Sequence, residues 1–521
     1  MPKNKESGKT AESQSQSQEK ESLISTSLTE NVQELTRKFG NSPDMIIRKF
    51  AIIHTQIQVA AVYIEGLVDK VIVDEFVTHA MSLNKLTEGQ QKVASGSDAF
   101  AYIREKALSI GEEKVIKDWK GLFAALFSGE TVILIDDSGE GISGNTSGGE
   151  VRAVTEATTQ VSIRGSKESF TEAIGTNLAL VRRRIKSSNL WVESFKIGEV
   201  TQTDVSIMYI NGIANDKSVK KLKSNLEDIK IDAILESGYI EPFIEDKIYS
   251  PFPTIFNTER PDSVAANLLE GRIAIFVNGT PFVLIAPATF FLFFQSVDDY
   301  YQRFYVSSLI RLLRFVCLLI SLFGPAIFIA VVNFHQEMIP TPLLINLASQ
   351  REGVPFPAFI EAVMMEITFE IIREAGIRLP SQIGQTVSII GGLVLGQAAV
   401  QAGIVSPAMV IVVSITGISS FATPSFNMAL SIRFLRFVIL FVAGFTGLYG
   451  IALIGIMLVA HMCSLRSLGV PYMSPVAPFI PEDQKDTFIR MPFKYFKTRP
   501  RLVSQKNKKR MEMNKTNGGS K

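Results

Sequence analysis

Three stretches without Asp, Glu, Lys or Arg constrain this chain more than any other feature. They run over residues 315–334, 379–432 and 437–465, and the last holds His461 as its only titratable ring. The hydrocarbon core of a bilayer takes about 20 apolar residues per helix, and a charge at its centre costs about 2.5–3.5 kcal/mol even on a lenient insertion scale. Runs of this length, confined to the second half, are the record of that cost. They predict an integral membrane protein whose first 300 residues lie outside the bilayer.

The fold class follows as multi-domain: an N-terminal soluble α/β (α+β) region of two subdomains, then an all-α transmembrane domain of four to five helices. Residues 1–40 read as a disordered polar tail with one short amphipathic helix. Residues 41–140 read as the first subdomain. Within it, strands over 45–53 and 56–66 precede helices over 70–83, 99–108 and 112–127, and a strand over 131–136. The run Val59-Ala60-Ala61-Val62-Tyr63-Ile64 is apolar at every position, as in a strand buried on both faces. The glycine-rich stretch 138–149 lacks the lysine and hydroxyl of a phosphate cradle and precedes a strand, so it reads as a connector. Residues 150–250 form the second subdomain, with a helix over 169–187, strands over 190–197 and 204–210, and a charged helix over 216–230. Residues 251–305 read as a linker, with 281–294 interfacial or re-entrant because 14 apolar residues are short for a span.

The membrane region, 306–466, divides into spans over 315–334, 382–405, 408–426 and 431–465, with a fifth around 282–294 left open. An amphipathic helix over 354–378 is expected between the first two. The N-terminus has no apolar leader, so the soluble region is expected in the cytosol. Four spans return the tail 467–521 to the same side. Its stretch 485–521 holds twelve Lys/Arg against Asp486 and Glu512, which agrees with a cytosolic, headgroup-facing position. On that count Arg433 and Arg436 face outward, against the rule.

Chemistry-bearing constellations are few. Cys317 and Cys463 fall inside apolar spans, the four histidines are scattered, and no Cys/His spacing suits zinc. No nucleophile–base set, metal cluster or cofactor loop is legible, so the residues support no enzyme, no metal and no cofactor. Nucleic acid is the weaker reading of a basic tail that follows a membrane region. Three features remain. Arg182-Arg183-Arg184 at a helix end is a partner-facing surface or an anion contact. Glu366 and Glu370, one helical turn apart, would attract cations near a pore mouth or form part of a salt-bridged helix. Val387, Ile390, Val394, Gln397 and Gln401 share one helical face in a span rich in small residues. That face lines a pore with a dewetting constriction in a symmetric oligomer, or packs against neighbouring helices.

Six segments carry a resemblance: RGSKESFTEAIGTNLALVRRRI from Arg164, TDVSIMYI from Thr203, SPFPTIFNTERPD from Ser250, GRIAIFVNGTPFVLIAPATF from Gly271, FPAFIEAVMMEITFEIIREAGIRLP from Phe356 and GQAAVQAGIVSPAMV from Gly396. Together they resemble the A subunit of GerA-type spore germinant receptors over about residues 45–495. Ser166 departs from the proline expected after Arg164-Gly165. The resemblance implies a multi-pass protein of the spore inner membrane that works with a permease-like B subunit and a lipoprotein C subunit. It implies a homo-oligomer that conducts monovalent cations when nutrient binds. It also admits a stage V sporulation paralogue that modulates ion release without sensing nutrient, while a membrane-anchored scaffold without a pore stays open on the residues alone.

Overall fold

The computed structural model describes residues 23–52, 57–81, 96–107, 113–148, 157, 159–379 and 394–511. The first unit begins with helix α1 (Leu28–Lys38), whose N-cap Ser27 accepts from the Glu30 N–H. It continues through β1 (Met45–Ala51), β2 (Gln58–Ile64), α2 (Lys70–Met81), α3 (Gly96–Ala107), β3 (Glu113–Ile116), α4 (Trp119–Phe127), β4 (Thr131–Ile135) and β5 (Gly141–Gly144). The sheet order is β1-β2-β4-β5-β3, and every pairing is antiparallel. Central β2 is apolar throughout because both its faces are covered. Ala60, Val62 and Ile64 pack with Leu35, Leu122 and Leu126 of α1 and α4. Val59, Ala61 and Tyr63 meet Phe76, Ile103, Val73 and Val77 of α2 and α3. Two expectations are corrected here. The helix expected from residue 112 is strand β3 followed by α4, because Asp118 caps α4 by accepting from the Gly121 N–H at 2.9 Å. The glycine-rich connector contains β5, which fills the slot between β3 and β4. The strand expected from residue 150 lies largely outside the described residues.

The second unit comprises α5 (Ile174–Arg184), β6 (Leu190–Ile197), β7 (Thr203–Ile210), α6 (Asp216–Glu227), α7 (Glu241–Ile244), β8 (Phe256–Thr258), α8 (Pro261–Leu269), β9 (Ile273–Val277) and β10 (Val283–Ala286). Its antiparallel order is β6-β7-β9-β10-β8. The sheet therefore draws in residues well past 250. The segment expected at a membrane interface is instead β10 plus the 3-10 turn Phe290–Phe294, with all five turn residues buried. Its apolarity reflects position: β10 is interior to the sheet, and the Phe-rich turn wedges between that sheet and the helical half. Phe293 meets Phe256 at 5.8 Å between ring centroids, and Phe294 meets Phe315 at 5.2 Å.

Then come the short α9 (Asp298–Tyr301), α10 (Phe304–Phe334), α11 (Thr341–Arg351), α12 (Ala358–Arg378), α13 (Gly396–Gln401), α14 (Pro407–Ser420) and α15 (Phe426–Ser464). By length and composition, α10 and α15 can cross a membrane, and α14 is a shorter apolar helix. Much of the span expected over 382–405 lies outside the described residues. Helix α15 is not one rod. Gly447 has φ 64° and ψ −147°, a conformation closed to most side chains, and a β-carbon there would meet Phe334 and His335 at 3.0 Å. The start of α15, Met428 and Ile432, shares a buried cluster with Phe315 and the soluble core. Its end returns to the soluble half, where Ser250 Oγ bonds His461 Nε2 at 3.0 Å and Lys247 Nζ donates to Ser464 at 3.1 Å. Residues 426–446 and 448–464 are thus two arms of a helical hairpin, each about 25–31 Å long at 1.5 Å per residue.

Candidate functional site

The helical half holds a buried knot of charge built from α12 and the first arm of α15. On α12, Glu366 and Glu370 stand one turn apart with Arg373 beside them; on α15, Arg433 and Arg436 are three residues apart. Arg436 Nη2 lies 3.0 Å from Glu366 and 3.1 Å from Glu370. Arg433 donates to Glu370 at 2.9 Å, and Arg373 stands 3.9 Å from it. Glu366 is 0 % and Arg436 1 % exposed at the side chain, so these charges are held by each other rather than by water. Arg373 also donates to Ser420 and lies over the Phe421 ring at 4.4 Å. Gly417 lets α12 approach α14 here, because a β-carbon would strike Phe369 at 2.5 Å. Three guanidiniums face two carboxylates. Among the described residues, the Nε atoms of Arg373, Arg433 and Arg436 find no hydrogen-bond partner.

The knot changes how two sequence features are understood. Glu366 and Glu370 do not stand free at a mouth but are engaged by arginines. Arg433 and Arg436 are the partners that hold them. Neither feature could be read alone, since the pairing joins positions 63 to 70 residues apart in the chain. A further buried carboxylate, Glu361, lies on the same helix toward the other end. It accepts from the Ser406 N–H at 2.9 Å and hydroxyl at 2.8 Å at the start of α14, where the helix dipole favours a negative charge.

The candidate pore face is split by the described range. Val387 and Ile390 lie outside it. Val394, Gln397 and Gln401 are all exposed, on or just before α13. Gly403 just beyond α13 approaches the Gly353 carbonyl, between α11 and α12.

The arginine triplet is not a surface feature as a whole. Arg182 is 0 % exposed and makes a two-pronged bond to Asp44, which ties the second unit to the first. Beside it Trp191 donates to the Lys38 carbonyl at 3.1 Å. Arg183 donates to the Gly148 carbonyl at 3.2 Å, and Arg184 pairs with Glu168 and with Ser166. The sequence offered three adjacent arginines; helical spacing turns each to a different neighbour.

A junction that sequence reasoning missed joins the two halves. Arg311, at the base of α10, is 0 % exposed and lies 2.8 Å from Asp486 and 3.3 Å from Asp299. Arg314 meets Asp299 at 2.7 Å and the Phe294 carbonyl at 3.0 Å. Tyr300 donates to Asp486 at 2.7 Å; burial pushes its phenol well above the usual range, and burial also pushes the Asp486 carboxyl up against the pull of Arg311. The basic tail is therefore folded down: Lys506 pairs with Asp216 and Arg510 with Glu270. The signal was present in Asp486, one of two acids in an otherwise basic stretch.

Among the described residues, no group of three or more His, Cys, Asp or Glu is placed to hold a metal. A family model described as Bacillus/Clostridium GerA spore germination protein matches residues 33–502. The chain is 51% identical over 496 residues to Spore germination protein KA of Bacillus subtilis (strain 168), covering 95% of this chain and 90% of the relative. It is 40% identical over 480 residues to Spore germination protein GerLA of Bacillus cereus, covering 92% of this chain and 96% of the relative. The crystal structure of the N-terminal domain of the A subunit of the Bacillus megaterium spore germinant receptor GerK3 is also similar. It is 45% identical, covers 52% of this chain and 98% of that chain, and has a TM-score of 0.41.

Proposed function

Because the chain belongs to the GerA family of Bacillus/Clostridium spore germination proteins, we propose that it is the A subunit of a nutrient germinant receptor and forms a cation path in the spore inner membrane as a homo-oligomer. The soluble half and the tail lie in the cytosol. Helices α10, α12 and α14, the two arms of α15 and the span expected over 382–405, much of which lies outside the described residues, are taken to cross the bilayer. Six crossings leave both ends of the chain on one side, and they place Arg433 and Arg436 toward the cytosolic side, where basic residues are favoured. A permease-like B subunit and a lipoprotein C subunit complete the receptor, and monovalent cations are the cargo.

The observation that carries this reading is the exposure of Gln397 and Gln401 on α13, beside two long helices, α10 and α15, whose exposed side chains are mostly Leu, Ile, Val and Phe. An amide turned to lipid tails has no hydrogen-bond partner, so such side chains face water or another polypeptide. Copies arranged about an axis give them both, with the exposed Val394 one turn away as the dry constriction. The knot of Glu366, Glu370, Arg433 and Arg436 then serves to hold α12 against α15 behind the path. Spores carrying Val394→Ala, with the protein at its normal level, test the assignment. They should release monovalent cations without nutrient or at lower nutrient. Unchanged ion release and unchanged nutrient sensitivity would remove Val394 as the constriction, and a purified oligomer without conductance would leave a scaffold.

A further inference from the structure

Two segments far apart in sequence lie side by side at the base of the helical half and expose a surface of aromatic, aliphatic and basic side chains. One is the start of α10; the other is the strap that follows α15. Ser308 Oγ donates to the Arg490 carbonyl at 2.9 Å, and the Arg490 N–H donates back to it at 3.2 Å. Arg490 also donates to the Gln302 carbonyl at 3.1 Å and lies over the Phe493 ring at 4.4 Å. These bonds hold Phe488, Ile489 and Met491 next to Tyr305 and Leu309, all exposed, with Tyr495 at 61% and Leu309 at 69%. No acid occurs in residues 303–313 or 487–501, and Arg303 and Lys494 are exposed.

The depth of this surface is fixed by α10. That helix has 31 residues, hence is about 46 Å long, against a hydrocarbon core of about 30 Å. Its charge-free run begins at Phe315, so its first turns stand at headgroup level. The Phe488 ring lies 5.0 Å from the Phe315 ring and sets the strap at that boundary. The far end of the tail turns away, since Lys506 and Arg510 are engaged by Asp216 and Glu270.

We propose that residues 487–497, together with the start of α10, form an interfacial anchor that lies on the cytosol-facing lipid surface. The rings of Phe488, Phe493 and Tyr495 sit among the headgroups, where amphipathic aromatics are favoured, and Arg303 and Lys494 meet anionic lipid. The anchor would couple the membrane to the junction, because Asp486 immediately precedes it. This rests on the membrane placement of α10 given under the proposed function.

The test places a tryptophan at Tyr495 (Tyr495→Trp) or, separately, at Leu319 in the apolar part of α10 (Leu319→Trp), in the full chain within nanodiscs of phosphatidylglycerol brominated on its acyl chains. The native Trp119 and Trp191, both in or beside the soluble sheets, provide the background. Loss of about half the added emission at both positions is expected for an anchor at the headgroup boundary. Quenching at 319 without quenching at 495 overturns the anchor and leaves the membrane placement intact. Quenching at neither overturns both. Adding Arg303→Glu and Lys494→Glu to Tyr495→Trp should weaken the quenching at 495; quenching that survives this reversal overturns the assignment to anionic headgroups. Protection of position 495 by cross-linking to a second copy also overturns the anchor.

Discussion

Two buried arginine–carboxylate clusters among the described residues differ in balance. At the junction, Arg311 and Arg314 face Asp299 and Asp486. In the helical half, Arg373, Arg433 and Arg436 face Glu366 and Glu370. The junction cluster also recruits a tyrosine hydroxyl and two backbone carbonyls, from Phe294 and Asp486. It locks the tail, α9 and α10 together with its charges matched. The knot between α12 and α15 has one guanidinium more than it has carboxylates, and among the described residues the Nε atoms of all three of its arginines lack a partner, against that of Arg311 alone of the two junction arginines. A matched, well-bonded cluster resists change, because removing one member leaves a buried charge alone; an unmatched one contains a member whose loss brings it closer to balance.

That difference orders the expected costs. Arg311→Leu leaves Asp299 and Asp486 facing Arg314 alone, and it should destabilise the full chain by about 3–5 kcal/mol, read as a fall in thermal midpoint in detergent. Arg436→Leu strands Glu366 but leaves Glu370 with Arg433, so about 2–4 kcal/mol is expected by the same assay. Arg373→Met removes the guanidinium farthest from a carboxylate and evens the charge; about 1 kcal/mol or less is expected. If Arg373→Met cost as much as Arg311→Leu, the contrast between the clusters would be broken.

An independent effect calibrates the soluble half. Burial, with Glu245 and Glu236 nearby, pushes the Glu241 carboxyl from 4.5 up to about 7. The folded state thus holds this proton more tightly than the unfolded chain. Stability associated with Glu241 is full below pH 4.5 and declines as pH rises toward 7, by about 1–2 kcal/mol after allowance for its partial exposure. Thermal midpoints of Glu241→Gln compared with the unchanged chain between pH 5 and 8 should show that part of the slope disappear. An identical slope in both would place the titration elsewhere.

Much of this architecture could be read from residues. The all-apolar Val59–Ile64 run announced a strand covered on two faces, and the charge-free runs separated the helical half from the soluble one. The Phe-rich 281–294 stretch misled because apolar length alone does not distinguish a membrane surface from a buried strand and turn; its partner, Phe256 in β8, sits in a segment that reads as a proline-rich linker. The hairpin in α15 was hidden because Gly447 stands in an apolar run with no charge or proline to mark the turn. Arg433 and Arg436 looked like an error in topology until α12 brought Glu366 and Glu370 to them. Pairing across distant helices leaves no periodic signature in a single chain. Val394, Gln397 and Gln401, spaced for one helical face in the sequence, are all exposed, while Val387 and Ile390 of the same expected face lie outside the described residues.

In the function proposed for this chain, the face at Val394, Gln397 and Gln401 lines a cation path and the charged knot only holds the helices behind it. Conductance of the purified full-length oligomer in planar bilayers, with and without Val394→Ala, tests it most directly. Cation currents are expected whose open probability rises sharply with Val394→Ala and changes little with Arg373→Met. Currents insensitive to Val394→Ala but altered by Arg373→Met would place the path through the knot and contradict it.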